Sequence, residues 1–315
     1  MMVEKSVILQ MIELLGCREP QVHLIGGYYQ NVYEIAAEEP MVVKFFNRTF
    51  NEDQQVLSEI EWIEHLHNNN VNTVVPIKIN NNDSYINRLA GEHFCVVYRK
   101  AQGEHVDIND EQVWNSKLFA RWGRGMASMH ALSQSFTGSS VFPDWTEQKL
   151  FTLNTDHLDS RINEKWTLYN TELRDMHTSP ANYGIIHGDL HHHNFLVQNG
   201  ELTFIDFGDS EYHWFAYDIA IAIYHAAQTV KDAVKRKEFA KRFFNAFMEG
   251  YEVNHPVKEV RTQVDYFINY RHLYSYVYHM QFSDKDNLDE KQLNYLQDMG
   301  QSIINQDSYL GIALV

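Results

Sequence analysis

Cysteine is scarce in this sequence: only Cys17 and Cys95 occur among 315 residues, and they form no Cys-x-x-Cys pair. Two isolated cysteines build no disulfide framework, so the sequence predicts a reducing compartment and buried structural thiols. Long apolar runs are also absent, since no stretch approaches the ~18 residues that a membrane helix requires. The first residues show the spacing of an amphipathic helix, without the apolar core and cleavage site of a signal peptide. We therefore expect a cytoplasmic protein that does not span a membrane.

Basic residues are few compared with acidic ones. The chain has 26 lysines and arginines against 42 aspartates and glutamates, which gives a formal net charge of −16. Nucleic acids and anionic membranes both require a basic face, so the charge balance argues against either as the main partner. Apolar residues make up 44% of the sequence, which is typical of a globular protein with a substantial core.

Two compositionally different regions follow each other along the chain. The first is rich in strand patterns: a hairpin over 22–35, strands at 41–46, 84–89 and 93–99, and one helix over 52–69 after the third strand. The second has helical patterns at 110–133, 155–178, 215–230, 233–251, 257–280 and 290–305. We therefore predict an α+β fold, with a small antiparallel β-rich domain over residues 1–100 and a larger, mainly helical domain over 101–315.

Three polar side chains stand at the ends of apolar, strand-like runs: Asp189, Asn194 and Asp206. Buried charges must be paired or hold a metal, so packing alone does not explain acids at these places. The spacing Asp-x-x-x-x-Asn, followed by Asp-Phe-Gly, is the layout of a kinase catalytic loop and its magnesium-binding acid.

The remaining parts required for phosphoryl transfer occur in the expected order. Gly26-Gly27 offers backbone amides to phosphates, and Lys44 is the single cation in an apolar strand. An edge-strand lysine that prevents aggregation is the alternative interpretation of Lys44. Glu59, beside the apolar face of the helix that follows, is the predicted partner of Lys44, with Glu61 as its rival.

The segments His187-Gly188-Asp189-Leu190-His191-His192-His193-Asn194 and Ile205-Asp206-Phe207-Gly208 resemble the aminoglycoside phosphotransferase / choline kinase family, which includes type II homoserine kinases. The resemblance extends from about residue 20 to about residue 230, through a glycine loop at Gly26, a helix ending near His130 and a segment around Asp218. It implies a bilobal protein-kinase-like fold, ATP and Mg²⁺ as cofactors, and a hydroxyl of a small molecule as acceptor.

The resemblance also implies a role for each matching residue. Asp189 resembles the catalytic base, and Asn194 and Asp206 resemble the metal ligands. Lys44 resembles the phosphate-binding lysine, with Glu59 as its ion-pair partner. The remaining roles are a hinge whose backbone binds adenine, and two residues that support the catalytic loop. These positions are Tyr98, Arg99 and Ala101 for the hinge, and His187 and Asp218 for the loop.

The acceptor site is less defined by the sequence. Tyrosines at helical spacing, among them Tyr270 and Tyr274, form one face of a helix, and either pack in the core or line a pocket that attracts an ammonium group. Asp209 and Trp214 are further acceptor-site candidates. Three consecutive histidines, 191–193, raise the alternative of zinc, but neighbours on an extended loop point in different directions and rarely share one metal.

Two rival functions fit the same fold. A protein kinase requires a long activation segment with an Ala-Pro-Glu anchor, and no such segment follows Asp206. A non-catalytic pseudokinase predicts the loss of Lys44, Asp189, Asn194 or Asp206, and all four are present. The acceptor itself stays open among aminoglycosides, choline, ethanolamine, homoserine, sugars and methylthio-sugars.

Overall fold

The computed structural model describes residues 3–18, 20–27, 29–79, 83–138, 142–253, 258–284 and 288–315. The chain divides into two compact units. Unit 1 contains Met1–Glu104, Phe136–Phe142 and Leu196–Gly208, and unit 2 contains His105–Ser135, Pro143–Phe195 and Asp209–Val315. The division of nucleotide and acceptor functions at residue 100 stays a prediction. No helix in the described ranges is both long and apolar enough to cross a membrane.

Unit 1 is built on an antiparallel sheet with the strand order β1-β2-β3-β6-β4, and β5 pairs with β6. The strands are β1 (Gln21–Gly26), β2 (Val32–Ala36), β3 (Met41–Asn47), β4 (Pro76–Ile77), β5 (Asn87–Arg88) and β6 (His93–Arg99). The two helices are α1 (Lys5–Leu15) and α2 (Asp53–Asn68). The predicted strand over 84–89 is wrong at its start, because the Ser84 hydroxyl accepts the Ile86 amide and forms a local turn.

Alternation along β3 decides which way its lysine points. Val43 and Phe45 belong to the core cluster that contains Met11 of α1. Phe46 belongs to a second cluster, on Ile60 of α2. Successive side chains of a strand point to opposite faces, so Lys44 shares the face of Phe46, which α2 covers. The helix predicted over 52–69 therefore covers the face of the sheet to which Lys44 points, so its side chains can pair with the lysine.

A tight hairpin precedes Asp206, the last acidic residue of unit 1. Strands β8 (Phe195–Gln198) and β9 (Glu201–Phe204) pair with each other. Asn199 and Gly200 connect them, with φ of 52° and 82°. An Asn-Gly pair with two positive φ angles is the preferred two-residue connection between antiparallel strands. Asp206 follows directly, so it belongs to unit 1 although Asp189 and Asn194, earlier in the chain, belong to unit 2.

Unit 2 is mainly helical, and a short strand pair carries its catalytic loop. Strand β7 (Tyr183–Ile186) pairs antiparallel with β10 (Glu211–Trp214). Two short 3₁₀ helices, Trp145–Glu147 and Lys149–Thr152, follow the strand bridge at Asp144. The α-helices are α3 (Ser116–Ser133), α4 (Ser160–Asp175), α5 (Phe215–Gln228), α6 (Ala233–Tyr251), α7 (Lys258–Phe282) and α8 (Glu290–Ile304).

Side-chain caps explain why two predicted helices begin too early. The helix predicted from residue 110 begins at Ser116, because the Asn115 side chain accepts the amides of Lys117 and Leu118. The helix predicted over 155–178 begins at Ser160, where Asp159 accepts the Arg161 amide. An asparagine or aspartate cap satisfies the first amides of a helix and competes with its continuation.

Candidate active site

Unit 1 holds a lysine between two carboxylates. The Nζ atom of Lys44 lies 2.7 Å from Oδ1 of Asp206 and 3.8 Å from Oε1 of Glu59. Burial acts to lower the pKa of Lys44, but the two carboxylates outweigh it, and the pKa is raised above its ordinary value. The ammonium therefore stays charged, which suits a group that contacts phosphate. Of the two predicted partners, Glu59 forms this ion pair, and its role in nucleotide binding stays a prediction.

Asp206 adopts an uncommon backbone conformation. Its φ of 62° lies in the left-handed region, which aspartate tolerates better than most residues but which still carries strain. Its side chain is about half exposed, at 49%. A strained, accessible carboxylate held by a lysine is a candidate ligand for a metal or a polar substrate.

The glycine loop of unit 1 is fixed by an asparagine. Gly27 has a φ of 88°, and a Cβ atom there would lie 2.3 Å from the side-chain oxygen of Asn31. The Asn31 amide group in turn donates to the carbonyl oxygen of Phe45, at 2.6 Å, next to Lys44 on β3. Only glycine fits at position 27, and the loop is tied to the strand that carries the lysine. Gly26 ends β1 beside it.

The predicted hinge residues lie at the end of β6 and just beyond it. Tyr98 lies opposite Val42 of β3, and burial raises the pKa of its hydroxyl. Arg99 is exposed and forms an ion pair with Glu39. Ala101 follows the strand, and among the described residues its backbone N–H finds no acceptor. A free amide at this place suits a hydrogen bond to a ligand.

A buried aspartate organises the catalytic loop of unit 2. The carboxylate of Asp218, on α5, accepts the backbone N–H groups of His187 and Gly188, each at 3.1 Å. The ring of His130 lies 3.1 Å from the same carboxylate and 2.8 Å from the Tyr251 hydroxyl. Burial lowers the pKa of His130, so the neutral ring donates to Asp218 and accepts from Tyr251.

Gly188 is required by the shape of this loop. Its φ is 81°, and a Cβ atom there would lie 2.2 Å from the carbonyl oxygen of Asp209. Any side chain would therefore push apart the two segments that follow β7 and precede β10. The loop thus presents Asp189 in one conformation.

Asp189 lies among groups that stabilise its negative charge. Its carboxylate lies 3.3 Å from Nε2 of His191 and 3.7 Å from Nη2 of Arg271. The Asn194 side chain donates to the Asp189 carbonyl oxygen at 2.8 Å and to its carboxylate at 3.3 Å. Burial acts to raise the pKa of Asp189, but His191 and Arg271 outweigh it and lower the pKa to about 2. The carboxylate is therefore ionised at neutral pH.

Asn194 uses only half of its amide group within the protein. Its nitrogen donates to Asp189, whereas its side-chain oxygen accepts no hydrogen bond from any described residue. Carboxylate and amide oxygens are the ligands that Mg²⁺ prefers. The free oxygen of Asn194 and the accessible carboxylate of Asp206 therefore fit, by their chemistry, the predicted role of metal ligands.

Arg271, on α7, is a site residue that the sequence motifs did not predict. Its guanidinium donates to the Tyr217 hydroxyl at 3.2 Å, lies 3.2 Å from the His225 ring, and lies over the Tyr274 ring at 5.5 Å. Arg271 also contacts Asp189, as described above. The available signal was a lone arginine within an aromatic helix face, because a buried arginine requires partners.

The other acceptor-site candidates occupy different environments. Tyr270 is fully buried and packs on Trp166 and Tyr217, and Trp214 is buried in the same part of unit 2. These two positions favour the core-packing interpretation of the tyrosine face. Tyr274 is only half-buried, and Asp209 is exposed. Of the three consecutive histidines, His191 contacts Asp189, whereas the buried His192 packs against a tryptophan of unit 2.

Comparison with known proteins places these clusters in a family. A model of the phosphotransferase enzyme family matches residues 22–258. An amicoumacin kinase of Bacillus subtilis (strain 168) is 29% identical over 314 residues, covering 96% of this chain and 92% of the relative. The chain therefore belongs to the phosphotransferase enzyme family, as the motifs predicted.

Solved structures show the same fold. An amicoumacin kinase in complex with AMP-PNP, Ca²⁺ and Ami has a TM-score of 0.85 at 24% identity, covering 97% of this chain and 95% of that chain. A microcompartment-associated aminopropanol kinase has a TM-score of 0.74 at 17% identity, covering 98% and 99%. The predicted α+β, protein-kinase-like fold is confirmed. The protein is an ATP-dependent kinase that uses a divalent metal and acts on a small-molecule hydroxyl.

Proposed function

We propose that this chain phosphorylates a hydroxyl of an amine-bearing small molecule, and that amicoumacin or a close analogue is its acceptor. The observation that carries the proposal is the environment of Asp189, an ionised carboxylate held by His191, Arg271 and Asn194. The similarity to amicoumacin kinase over nearly the whole chain supports the acceptor. Aminopropanol and the aminoglycosides, named for more distant relatives, also combine an amine with a hydroxyl.

In unit 2, Asp189 is proposed to orient the attacking hydroxyl and to receive its proton. A carboxylate with a pKa of about 2 is a weak base, so we infer that orientation contributes more than proton abstraction before the transfer. This agrees with phosphoryl transfer, in which catalysis arises mainly from positioning and from charge stabilisation. Arg271 and His191 keep the carboxylate ionised and aligned, and Asp218 holds the loop that carries it.

In unit 1, Lys44 is proposed to bind the phosphates of ATP, with Glu59 and Asp206 fixing its ammonium group. The amides of the Gly26-Gly27 loop and of Ala101 are the proposed contacts for phosphate and for adenine. Asp206 of this unit and Asn194 of unit 2 each offer an oxygen of the kind that Mg²⁺ prefers, so each is proposed as a metal ligand, and the metal would neutralise the charge of the phosphates. These assignments follow from the charges and free donors of each unit.

The region after Asp206 supports a small-molecule acceptor over a protein acceptor. Strand β10 begins at Glu211, and α5 begins at Phe215. A protein kinase requires a long activation segment at this point, and the chain has only a short loop and a strand.

A panel of acceptors tests the proposal directly. Purified protein, ATP and Mg²⁺ are incubated with amicoumacin, spectinomycin, 1-amino-2-propanol, homoserine, choline and 1,2-propanediol, and ADP formation and product mass are measured. We expect phosphorylation of amicoumacin or another amine-bearing alcohol, and none by Asp189→Asn. Turnover restricted to the amine-free diol, or no turnover of any acceptor, would overturn the proposal.

A further inference from the structure

A buried glutamate stands at the start of the strand beside the catalytic loop. Glu211 is the first residue of β10 and lies opposite Ile186, the last residue of β7 before the loop that carries Asp189. Only 2% of Glu211 is exposed. Carboxylates are almost never buried to this degree unless they are paired, and no cation forms an ion pair with Glu211 in the described part of the chain.

Two successive side-chain hydrogen bonds, from residues in another part of unit 2, hold this carboxylate. The Gln148 amide donates to Oε2 of Glu211 in a short hydrogen bond. The oxygen of the same amide accepts the Tyr274 hydroxyl at 2.5 Å. The tyrosine thus sets the orientation of Gln148, and Gln148 sets that of Glu211. The other carboxylate oxygen, Oε1, accepts no hydrogen bond from any described residue, so it is available to a ligand.

The charges around Glu211 favour the arrival of a cation. Burial is the largest influence and raises the pKa of Glu211 to about 8, against the effect of the Gln148 hydrogen bond. Asp209, on the preceding loop, and Asp144, before the first 3₁₀ helix, raise the pKa further, and Arg271 on α7 lowers it. Arg271 already contacts Asp189 and Tyr217. Two negative groups therefore act on Glu211, against one positive group that is shared with other partners. A positive charge brought by a ligand would relieve this imbalance.

Glu211 and Asp189 interact with the same side chains of unit 2. The Tyr217 hydroxyl interacts electrostatically with both carboxylates, and the Arg271 guanidinium bonds to the same hydroxyl. Tyr274, which is linked to Glu211 by hydrogen bonds through Gln148, lies under that guanidinium. A small acceptor whose hydroxyl contacts Asp189 therefore has a buried, incompletely satisfied carboxylate nearby.

We propose that Glu211 binds the ammonium group of the acceptor and so selects amine-bearing alcohols, with Gln148 and Tyr274 holding its carboxylate in place. This inference rests on the proposed function, and it names Glu211 as the residue that binds the amine of the acceptor. Without acceptor, a large share of the protein has Glu211 protonated at neutral pH. With acceptor, the carboxylate is ionised against the ammonium, so binding releases a proton and weakens as the pH falls.

Calorimetric titration tests the proposal without the need for turnover. Amicoumacin, 1-amino-2-propanol and the N-acetylated form of each are titrated into the wild-type protein at pH 6.5 and 8.5. From the pKa of Glu211, the Kd of the amines should be roughly 20-fold lower at pH 8.5 than at pH 6.5. Titration at pH 7 in buffers of different ionisation enthalpy should show the release of close to one proton. The N-acetylated forms should show neither effect.

Two variants distinguish a specific effect of the Glu211 carboxylate from a general effect of the protein's net charge. Glu211→Gln preserves the size of the side chain and its bond to Gln148, and should raise the Kd of the amines about 10-fold or more at pH 8.5 and remove the pH dependence. Glu249→Gln removes an equal charge from an exposed position of α6 and should bind like wild type.

The outcomes also separate this inference from the proposed function. If the wild-type protein phosphorylates an amine-bearing alcohol but binds it without proton release, or equally well after N-acetylation, the role of Glu211 is overturned and the kinase proposal stands. If no amine-bearing alcohol binds or is phosphorylated, both are overturned. The proton-release measurement uses only wild-type protein, so it decides the matter even if Glu211→Gln fails to fold.

Discussion

The two units carry charge clusters of opposite design. In unit 1, two carboxylates surround one ammonium group, that of Lys44. In unit 2, an imidazole, a guanidinium and an amide surround one carboxylate, that of Asp189. Each cluster keeps its central group charged against the cost of burial, since the pKa of the lysine is raised and that of the aspartate is lowered. A fixed cation suits phosphate, and a fixed anion suits a hydroxyl proton, so the comparison predicts separate kinetic roles.

The largest effect is expected at the centre of the unit 2 cluster. Asp189→Asn keeps the size of the side chain but removes the charge that orients the acceptor hydroxyl, so kcat should fall by about 10³. ATP binding, measured by titration with a fluorescent nucleotide, should be unchanged. Asp156→Asn, at an exposed position of unit 2, is the control. Full activity of Asp189→Asn would remove Asp189 from the mechanism.

The centre of the unit 1 cluster should behave differently. Lys44→Ala removes the proposed phosphate contact, so the KM for ATP should rise and kcat/KM should fall by about 10², while acceptor binding is unchanged. Lys78→Ala, an exposed lysine of the same unit, should leave both parameters near wild type. The comparison between the units would break if Lys44→Ala changed acceptor affinity and left ATP kinetics untouched.

Arg271 offers a test of how the unit 2 cluster is maintained. Arg271→Gln removes a cation from Asp189, so the pKa of Asp189 should rise from about 2 toward its ordinary value. Asp189 stays ionised at pH 7, but it loses the contact that aligns its carboxylate, so turnover at pH 7 should fall about 10-fold. In the wild-type protein the lowered pKa contributes stability above the unfolded-state pKa of Asp189, and this contribution is lost as the pH falls through about 2.

The same variant should therefore unfold at a higher pH on acidification, which circular dichroism between pH 5 and pH 2 measures. Arg261→Gln is the matched control, because Arg261 lies on the same helix but pairs with Glu252 near the surface. An acid unfolding midpoint that is the same in Arg271→Gln and in wild type would show that Arg271 does not lower the pKa of Asp189.

The smallest effect is expected at the edge of the unit 1 cluster. Glu59 lies 3.8 Å from Lys44, farther than Asp206, so Glu59→Gln should lower kcat/KM for ATP only several-fold to about 10-fold. Glu61→Gln is both the control and the rival, and should have little effect. If steady-state kinetics place the larger loss at Glu61, the ion pair seen with Glu59 is not the functional one.

Sequence alone was sufficient for the features that local spacing encodes. The Asp189–Asn194 loop, the Asp-Phe-Gly turn at Asp206 and the lysine of β3 predicted the family and the fold class, because these groups lie within short segments of regular pattern. The α2 helix was predicted within one residue at each end, and its periodicity placed Glu59 beside the apolar face.

Tertiary structure alone decided which distant groups meet. Arg271 reaches Asp189, and Tyr274 reaches Glu211 through Gln148, across long stretches of chain that no periodicity connects. Helical spacing places Tyr270 and Tyr274 on one face, but the packing of α4 and α5 against α7 buries the first and leaves the second half-exposed. Spacing specifies the face of an element, whereas burial and charge pairing depend on what the rest of the chain packs against that face.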